Sequence, residues 1–357
     1  MEVPYANLNR IYQESKQELD KAVHDCIDNS WFIKGPKVDE FEKNLTDYCN
    51  APAVGVSSGT SALLLAYECL RLRPGDKIVI PSFTFISTPE MATKLGLEIV
   101  WADCNKENYT INTDDLAGIL SSTKDIKAIV GVDIFGHTCD WDTIKDIAGD
   151  IPVVQDAAQS FGGKYKGIIN GSYNDLTCFS FYPAKNMWCF GDGGAVVGNQ
   201  NYVDKVKMSR DHGRTDKYVH EFLGWNERLD SMQANILNHM LKKIDAHNKD
   251  RKRIALIYDK ELNTDTMVKT APWCDNVYNQ YTVRVRNRSS VINQLAGQGV
   301  HTGVMWPLGC HAQPAYNSKD LLKNTDEVSN TILSLPCWPL MTEDEIGYVI
   351  EKFNSIV

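Results

Sequence analysis

Residues 179–194 read FSFYPAKNMWCFGDGG, and the one lysine among them is out of keeping with its neighbours. Lys185 stands among Phe179, Phe181, Tyr182, Met187, Trp188 and Phe190, shortly before three glycines. A surface lysine usually has polar neighbours, and a strand of the core usually has no lysine. Two readings are open. In one, Lys185 is a loop lysine whose apolar stem lies on the aromatics while its ammonium reaches water. In the other it is partly desolvated, which disfavours the charged form and makes the amine a nucleophile.

The bulk of the chain narrows the classes. At 357 residues it exceeds a usual single domain, so two domains are expected. A hydrophobic fraction of 43% with 23% charged residues describes an ordinary globular protein. The net charge of −9 argues against a nucleic-acid binder, which needs clustered Lys and Arg. No apolar run reaches the length of a membrane span, and MEVPYANLNRIYQ lacks the pattern of a signal peptide. The ten cysteines include no CxxC pair and no zinc spacing, so no metal site is expected. They read as reduced, mostly buried thiols, which implies a cytoplasmic protein.

Short β-rich runs alternate with helical stretches through the first two thirds. KIVIPS (77–82), LEIVWAD (97–103), KAIVGVD (127–133), PVVQDAA (152–158), LTCFSFY (176–182) and GAVVG (194–198) have strand character. SALLLAYECLRL (61–72) and TPEMATKLG (88–96) have helix character. The alternation predicts an α/β fold with a mostly parallel mixed sheet covered by helices. Charged helical sequence fills roughly 227–262, followed by a strand-like QYTVRVR (280–286) and helix-like VINQLAGQG (291–299) and EDEIGYVIEKFNSI. A large domain over 1–250 and a smaller α+β domain over 251–357 are expected.

In an open α/β sheet, ligands bind beyond the carboxyl ends of the strands. Four stretches bring polar groups there. VSSGTSALLLA (56–66) sets hydroxyls and a glycine before an apolar helix, which suits an anion or a plain helix cap. It lacks both the dinucleotide and the P-loop glycine patterns. VVQDAAQS (153–160) ends an apolar strand on Asp156, a carboxylate that either caps a helix or meets a cationic partner. FSFYPAKN places Ser180 five residues before Lys185, and GWNERLD (224–230) places Asn226 and Arg228 at a helix start. Capping and a surface ion pair would also account for the last of these.

One cofactor asks for all of them. Pyridoxal 5′-phosphate needs a lysine for its aldehyde, an acid opposite its ring nitrogen and an anion site for its phosphate. An aromatic ring against its flat face helps, and Phe85 in PSFTFISTP (81–89) can supply it. On that reading Lys185 is the lysine bonded to the cofactor.

The chain resembles the nucleotide-sugar aminotransferases of the DegT/DnrJ/EryC1/StrS family, fold type I of the pyridoxal-phosphate transferases. The likeness runs from NSWFIKGPKVDEFE (29–42) through SSGTSAL, GDKIVIPSFTFIST, VVQDAAQSFG and FSFYPAKNMWCFGDGGAVV to GWNERLDSMQA and SLPCWPLMT. QDAAQS and FSFYPAKN…GDGG are the most specific pieces. The resemblance implies that Lys185 bonds the cofactor and moves a proton, and that Asp156 keeps the pyridine nitrogen protonated. It also implies Gln159 near the phenolic oxygen, Thr60, Ser61 and Ser180 on the phosphate, and Phe85 on the ring. Asn226 would reach the phosphate of a neighbouring subunit in a homodimer with shared sites.

The function so implied is transfer of an amino group from an amino acid, L-glutamate, to a keto group of a nucleotide-linked sugar. KYVHEFLGWNERLD (217–230) is more similar to the branch acting at C3 than to the C4 branch. A sugar dehydratase of the same fold, with histidine for the lysine, is disfavoured by Lys185. A regulatory relative without chemistry is disfavoured by the full Lys185, Asp156 and Ser180 set. Many relatives carry a motif like HYPxPLHxQPAY, whose leading His-Tyr pair faces the sugar. Here the stretch is MWPLGCHAQPAY (305–316), so Met305 and Trp306 replace that pair while His311, Gln313 and Pro314 remain. A thioether and an indole there suit a 6-deoxy sugar better than a uronate. Arg228, Met305, Trp306 and His311 are the candidate substrate contacts.

Overall fold

The computed structural model describes residues 1–264 and 267–357. Seven strands form the main sheet: Ala53–Val56 (β1), Lys77–Pro81 (β2), Glu98–Ala102 (β3), Ile126–Val132 (β4), Val153–Asp156 (β5), Leu176–Ser180 (β6) and Gly194–Gly198 (β7). Their order across the sheet is β1-β7-β6-β5-β4-β2-β3. Only β7 runs against the others, pairing antiparallel with β1 and β6. All expected strands of this region are present. The strand missed is β1, AVGV, whose four residues after a proline are too short to show a pattern.

Both faces of the sheet are covered, and the two-residue side-chain period divides the core accordingly. Ile78, Ile80, Ala128 and Val130 pack with the helix Gly59–Cys69 on one face. Val79 and Ile129 pack with Leu116, Trp141 and Ile144 on the other. Gly131 is required by this packing, since a Cβ there would lie 2.4 Å from the Trp141 ring.

A separate core forms around an antiparallel pair, Tyr281–Arg284 (β8) with Ile332–Leu335 (β9). Tyr258, Trp338, Ile346 and Phe353 fill it, together with Val3 from the N-terminus. The helix Ile244–Glu261 belongs to both bodies, with Ile244 in a core under the large sheet and Ile254, Ala255 and Tyr258 in the smaller one. The division expected near residue 250 falls inside this helix. The charged stretch before it holds a second helix, Ser231–Met240. Residues 225–228 are not helical. They lie extended beside β1, with the Ser57 N–H donating to the Glu227 carbonyl at 3.0 Å. No helix among the described residues is long and apolar enough to cross a membrane.

Candidate active site

Six of the seven strands are parallel, so their carboxyl ends open on one edge of the sheet. Ser57 and Ser58 follow β1, Ser82 and Phe85 follow β2, and Phe135 follows β4. Asp156 ends β5 and Ser180 ends β6.

Two of these ends touch through a glycine. Ser58 caps the helix Gly59–Cys69, its hydroxyl accepting from the Ser61 N–H at 3.0 Å. That leaves the Gly59 and Thr60 N–H groups without intrahelical acceptors. A Cβ on Gly59 would lie 2.6 Å from Cβ of Ser180, and one on Gly194 would lie 2.3 Å from the Ser58 carbonyl oxygen. Only glycines let the helix start sit this close to β6 and β7. The Ser180 and Thr60 hydroxyls therefore flank free N–H groups at the positive end of a helix, an arrangement suited to a phosphate. Thr60 Oγ1 is 2.8 Å from Ser87 Oγ. The Ser61 hydroxyl turns the other way and donates to Glu227 Oε2 at 2.5 Å, with Ser57 on the same oxygen.

Asp156 is buried, and its carboxylate takes two hydrogen bonds. Thr88 Oγ1 donates at 2.7 Å and the Ala158 N–H at 3.1 Å. Burial raises its pKa, against the lowering pull of those two donors and of the Lys185 charge. Among the described residues no cation is hydrogen-bonded to it. Its partners are a hydroxyl and a backbone N–H, neither of which neutralises its charge.

The loop carrying Lys185 is fastened at both ends. The Phe181 N–H donates to the Gly193 carbonyl at 2.8 Å, and the Lys185 N–H to the Tyr182 carbonyl at 2.8 Å. Asn186 Nδ2 donates to Asn248 Oδ1 at 2.7 Å and to the Val277 carbonyl at 2.9 Å. Of the apolar neighbours, Phe179, Phe181, Met187 and Trp188 are buried in the core, whereas Tyr182 and Phe190 are exposed. Lys185 is part-exposed at this rim, yet the protein mass around it pushes its pKa down to about 8, with Asp156 pulling weakly the other way. No hydrogen bond or ion pair among the described residues occupies its ammonium. It is a free amine facing a buried carboxylate.

Gln159 is buried and its Oε1 accepts from the Phe135 N–H at 2.7 Å, leaving the amide NH₂ to donate elsewhere. Phe135 holds a left-handed backbone (φ 58°) to present that N–H. Its ring stacks on Trp306, with centroids 5.8 Å apart and planes at 11°. Phe85 is half exposed and tilts against the same indole at 6.3 Å. Met305 packs with Trp306 on the neighbouring core.

Two of the other candidates, His311 and Arg228, are engaged by partners of their own. His311 is buried behind β2, where Ser82 Oγ accepts from its N–H at 3.1 Å and sits 2.6 Å from its Nδ1. Its Nε2 is 3.6 Å from Asp326. Arg228 donates to Asp211 at 2.6 Å, and Lys34 and Arg214 hold the same carboxylate. Burial would raise the Asp211 pKa, but these three cations outweigh it and keep the carboxyl well below its usual range. Asn226 is exposed.

Thr88, Glu227 and Asp133 were not anticipated. Asp133 accepts from Gln155 at 2.6 Å and from Ser160 at 2.9 Å, so it grips both ends of the loop that carries Asp156 and Gln159.

The family model described as the DegT/DnrJ/EryC1/StrS aminotransferase family matches residues 13–354. A Streptomyces venezuelae protein named dTDP-3-amino-3,4,6-trideoxy-alpha-D-glucose transaminase is 33% identical over 99% of this chain and 96% of its own. A Pseudomonas aeruginosa protein named UDP-2-acetamido-2-deoxy-3-oxo-D-glucuronate aminotransferase is also 33% identical, over 99% of this chain and 100% of its own. Among solved structures, S. venezuelae DesV in complex with a ketimine intermediate superposes with a TM-score of 0.96 at 32% identity. That match covers 99% of this chain and 98% of DesV.

Proposed function

The chain belongs to the DegT/DnrJ/EryC1/StrS aminotransferase family, and on that premise we propose that it moves an amino group from L-glutamate to C3 of a nucleotide-linked ketosugar. The cofactor is pyridoxal 5′-phosphate. The residues fit it. A free lysine amine, a buried carboxylate without a cation, an anion-ready helix start and a half-exposed phenyl ring all lie at or just beyond the carboxyl ends of the sheet's strands. When bound, the cofactor supplies an aldehyde that carries the amino group and a ring that draws electrons from the reacting carbon.

The protein supplies the rest. Lys185 Nζ is the amine that would hold the cofactor's aldehyde, and as a free amine it would carry the proton to and from the substrate carbon. Asp156, fixed by Thr88, would keep the ring nitrogen protonated. Gln159, fixed by Phe135, would donate to the phenolic oxygen. Thr60, the free helix N–H groups and Ser180 would hold the phosphate and Phe85 would cover the ring, whereas the expected contact from Ser61 is spent on Ser58 and Glu227. The observation that carries the reading is the pairing of an unbound Lys185 amine, with a pKa of about 8, with a buried Asp156.

A second copy completes the site in this proposal. The segment before Asn226 exposes Tyr218 (81%), Leu223 (96%) and Trp225 (41%), together an apolar surface of the kind a partner covers. A two-fold dimer would bring the exposed Asn226 to its neighbour's phosphate. The ten unpaired cysteines support a reducing, cytoplasmic setting. C3 is supported by the two relatives above, whose names place the amine or the keto group at position 3. The test is product formation from a panel of 3-keto and 4-keto nucleotide sugars with glutamate. Products from the 3-keto members support the proposal. Cofactor binding without any amine transfer supports a regulatory protein instead.

A further inference from the structure

We propose that Trp306 is the residue that sets sugar specificity, forming with Phe85 an aromatic platform that prefers a ketosugar bearing a C5 methyl over one bearing a carboxylate. This rests on the aminotransferase reading. The indole is braced from behind by two fully buried rings, Phe135 stacked at 5.8 Å and Phe83 edge-on at 5.9 Å and 80°. The indole is itself part-exposed, and the platform continues onto the half-exposed Phe85 at 6.3 Å.

Both ends of the platform are tied to the cofactor residues. The Phe85 carbonyl accepts from the Thr88 N–H at 3.2 Å, and the Thr88 hydroxyl holds Asp156. The Phe135 N–H holds Gln159 at 2.7 Å. Amine transfer requires the sugar carbon to come within bonding distance of the cofactor, beside Lys185. With the cofactor ring against Phe85, the surface that continues from it onto Trp306 is where the sugar ring would lie.

The chemistry of the platform is one-sided. Among the described residues neither Met305 nor Trp306 makes a side-chain hydrogen bond or ion pair. The three rings touching the indole are all phenyl groups. A methyl group settles on such a surface without losing polar hydration. A carboxylate would exchange its water for at most one neutral indole N–H, where a cation or several donors are needed. Overall identity is the same, at 33%, to a relative named for a 6-deoxy sugar and to one named for a glucuronate. The choice must therefore lie in individual side chains.

The test compares kcat/KM for a 6-deoxy 3-ketosugar and its uronate counterpart on the same nucleotide. In the wild type the 6-deoxy sugar should be favoured by about ten- to a hundredfold, the range of single-group discrimination in apolar pockets. Trp306→Ala should bring the ratio to within a few-fold of unity. Trp306→His keeps an aromatic ring but adds an ionisable donor, and should move the ratio toward the uronate more strongly below pH 6.5. A wild type that uses the uronate equally well, or variants that leave the ratio unchanged, would overturn the assignment. Amination of the wild-type holoenzyme by glutamate, followed by absorbance without any sugar, separates the two readings. If it fails, the aminotransferase reading falls and takes this one with it. If it succeeds while the ratio stays flat, only the role of Trp306 falls.

Discussion

Thr88 Oγ1 donates a hydrogen bond of 2.7 Å to Asp156 Oδ2, across 68 residues of sequence and inside the buried end of β5. The bond stabilises the ionised carboxylate that a pyridinium nitrogen requires, and fixes its direction. Thr88→Val keeps the shape and removes the donor. A hydrogen bond to a charged group contributes roughly 1.5–3 kcal/mol, so single-turnover amination should slow about ten- to a hundredfold with the cofactor retained. An unchanged rate would show that Ala158 alone suffices.

Asp156→Asn should have a larger effect. Without the carboxylate the ring nitrogen loses its proton and the electron sink weakens, slowing both half-reactions by about a hundredfold or more. The absorbance of the bound cofactor should also shift, because the protonation of its ring nitrogen depends on Asp156. If only thermal stability changes, Asp156 is no more than a helix cap.

Lys185 has its pKa pushed from 10.5 to about 8, so the neutral amine grows with pH up to that value. Capture of added cofactor by the apo-protein should accelerate about tenfold per pH unit below 8 and level off above it. Asp156→Asn should move this profile to lower pH, since the Asp156 charge raises the Lys185 pKa. Stopped-flow mixing from pH 6 to 10 measures both. A flat profile would mean that the amine is not the group that reacts.

The proposed dimer predicts that dilution releases cofactor as the protein dissociates. Asn226→Ala should weaken cofactor binding without changing the secondary structure. Sedimentation with parallel activity assays tests this, and a fully active monomer would contradict it.

The strand-end positions of Asp156 and Ser180, with Lys185 just beyond, were legible in the sequence. An apolar run followed by a polar residue marks that position without knowledge of the fold. Their supports were not legible. Thr88 reaches Asp156, and Glu227 reaches Ser57 170 residues away, through the packing of elements whose mutual register no local pattern records. The candidate set met a similar limit at its outer edge. His311 and Arg228 have the polar character of substrate contacts, but the first is held between Ser82 and Asp326 and the second by Asp211. A tryptophan suits a core as well as a sugar site, and only its three ring contacts place Trp306 beside Phe85 and Phe135.

The central claim is that Lys185 moves an amino group from glutamate to C3 of a nucleotide-linked sugar. The most direct test supplies glutamate labelled with ¹⁵N and a 3-keto 6-deoxy nucleotide sugar, and reads the product by NMR. The wild type should place ¹⁵N on C3, and Lys185→Ala should place none while remaining folded by circular dichroism. Label at another carbon, or label transferred by Lys185→Ala without added amine, would contradict the account.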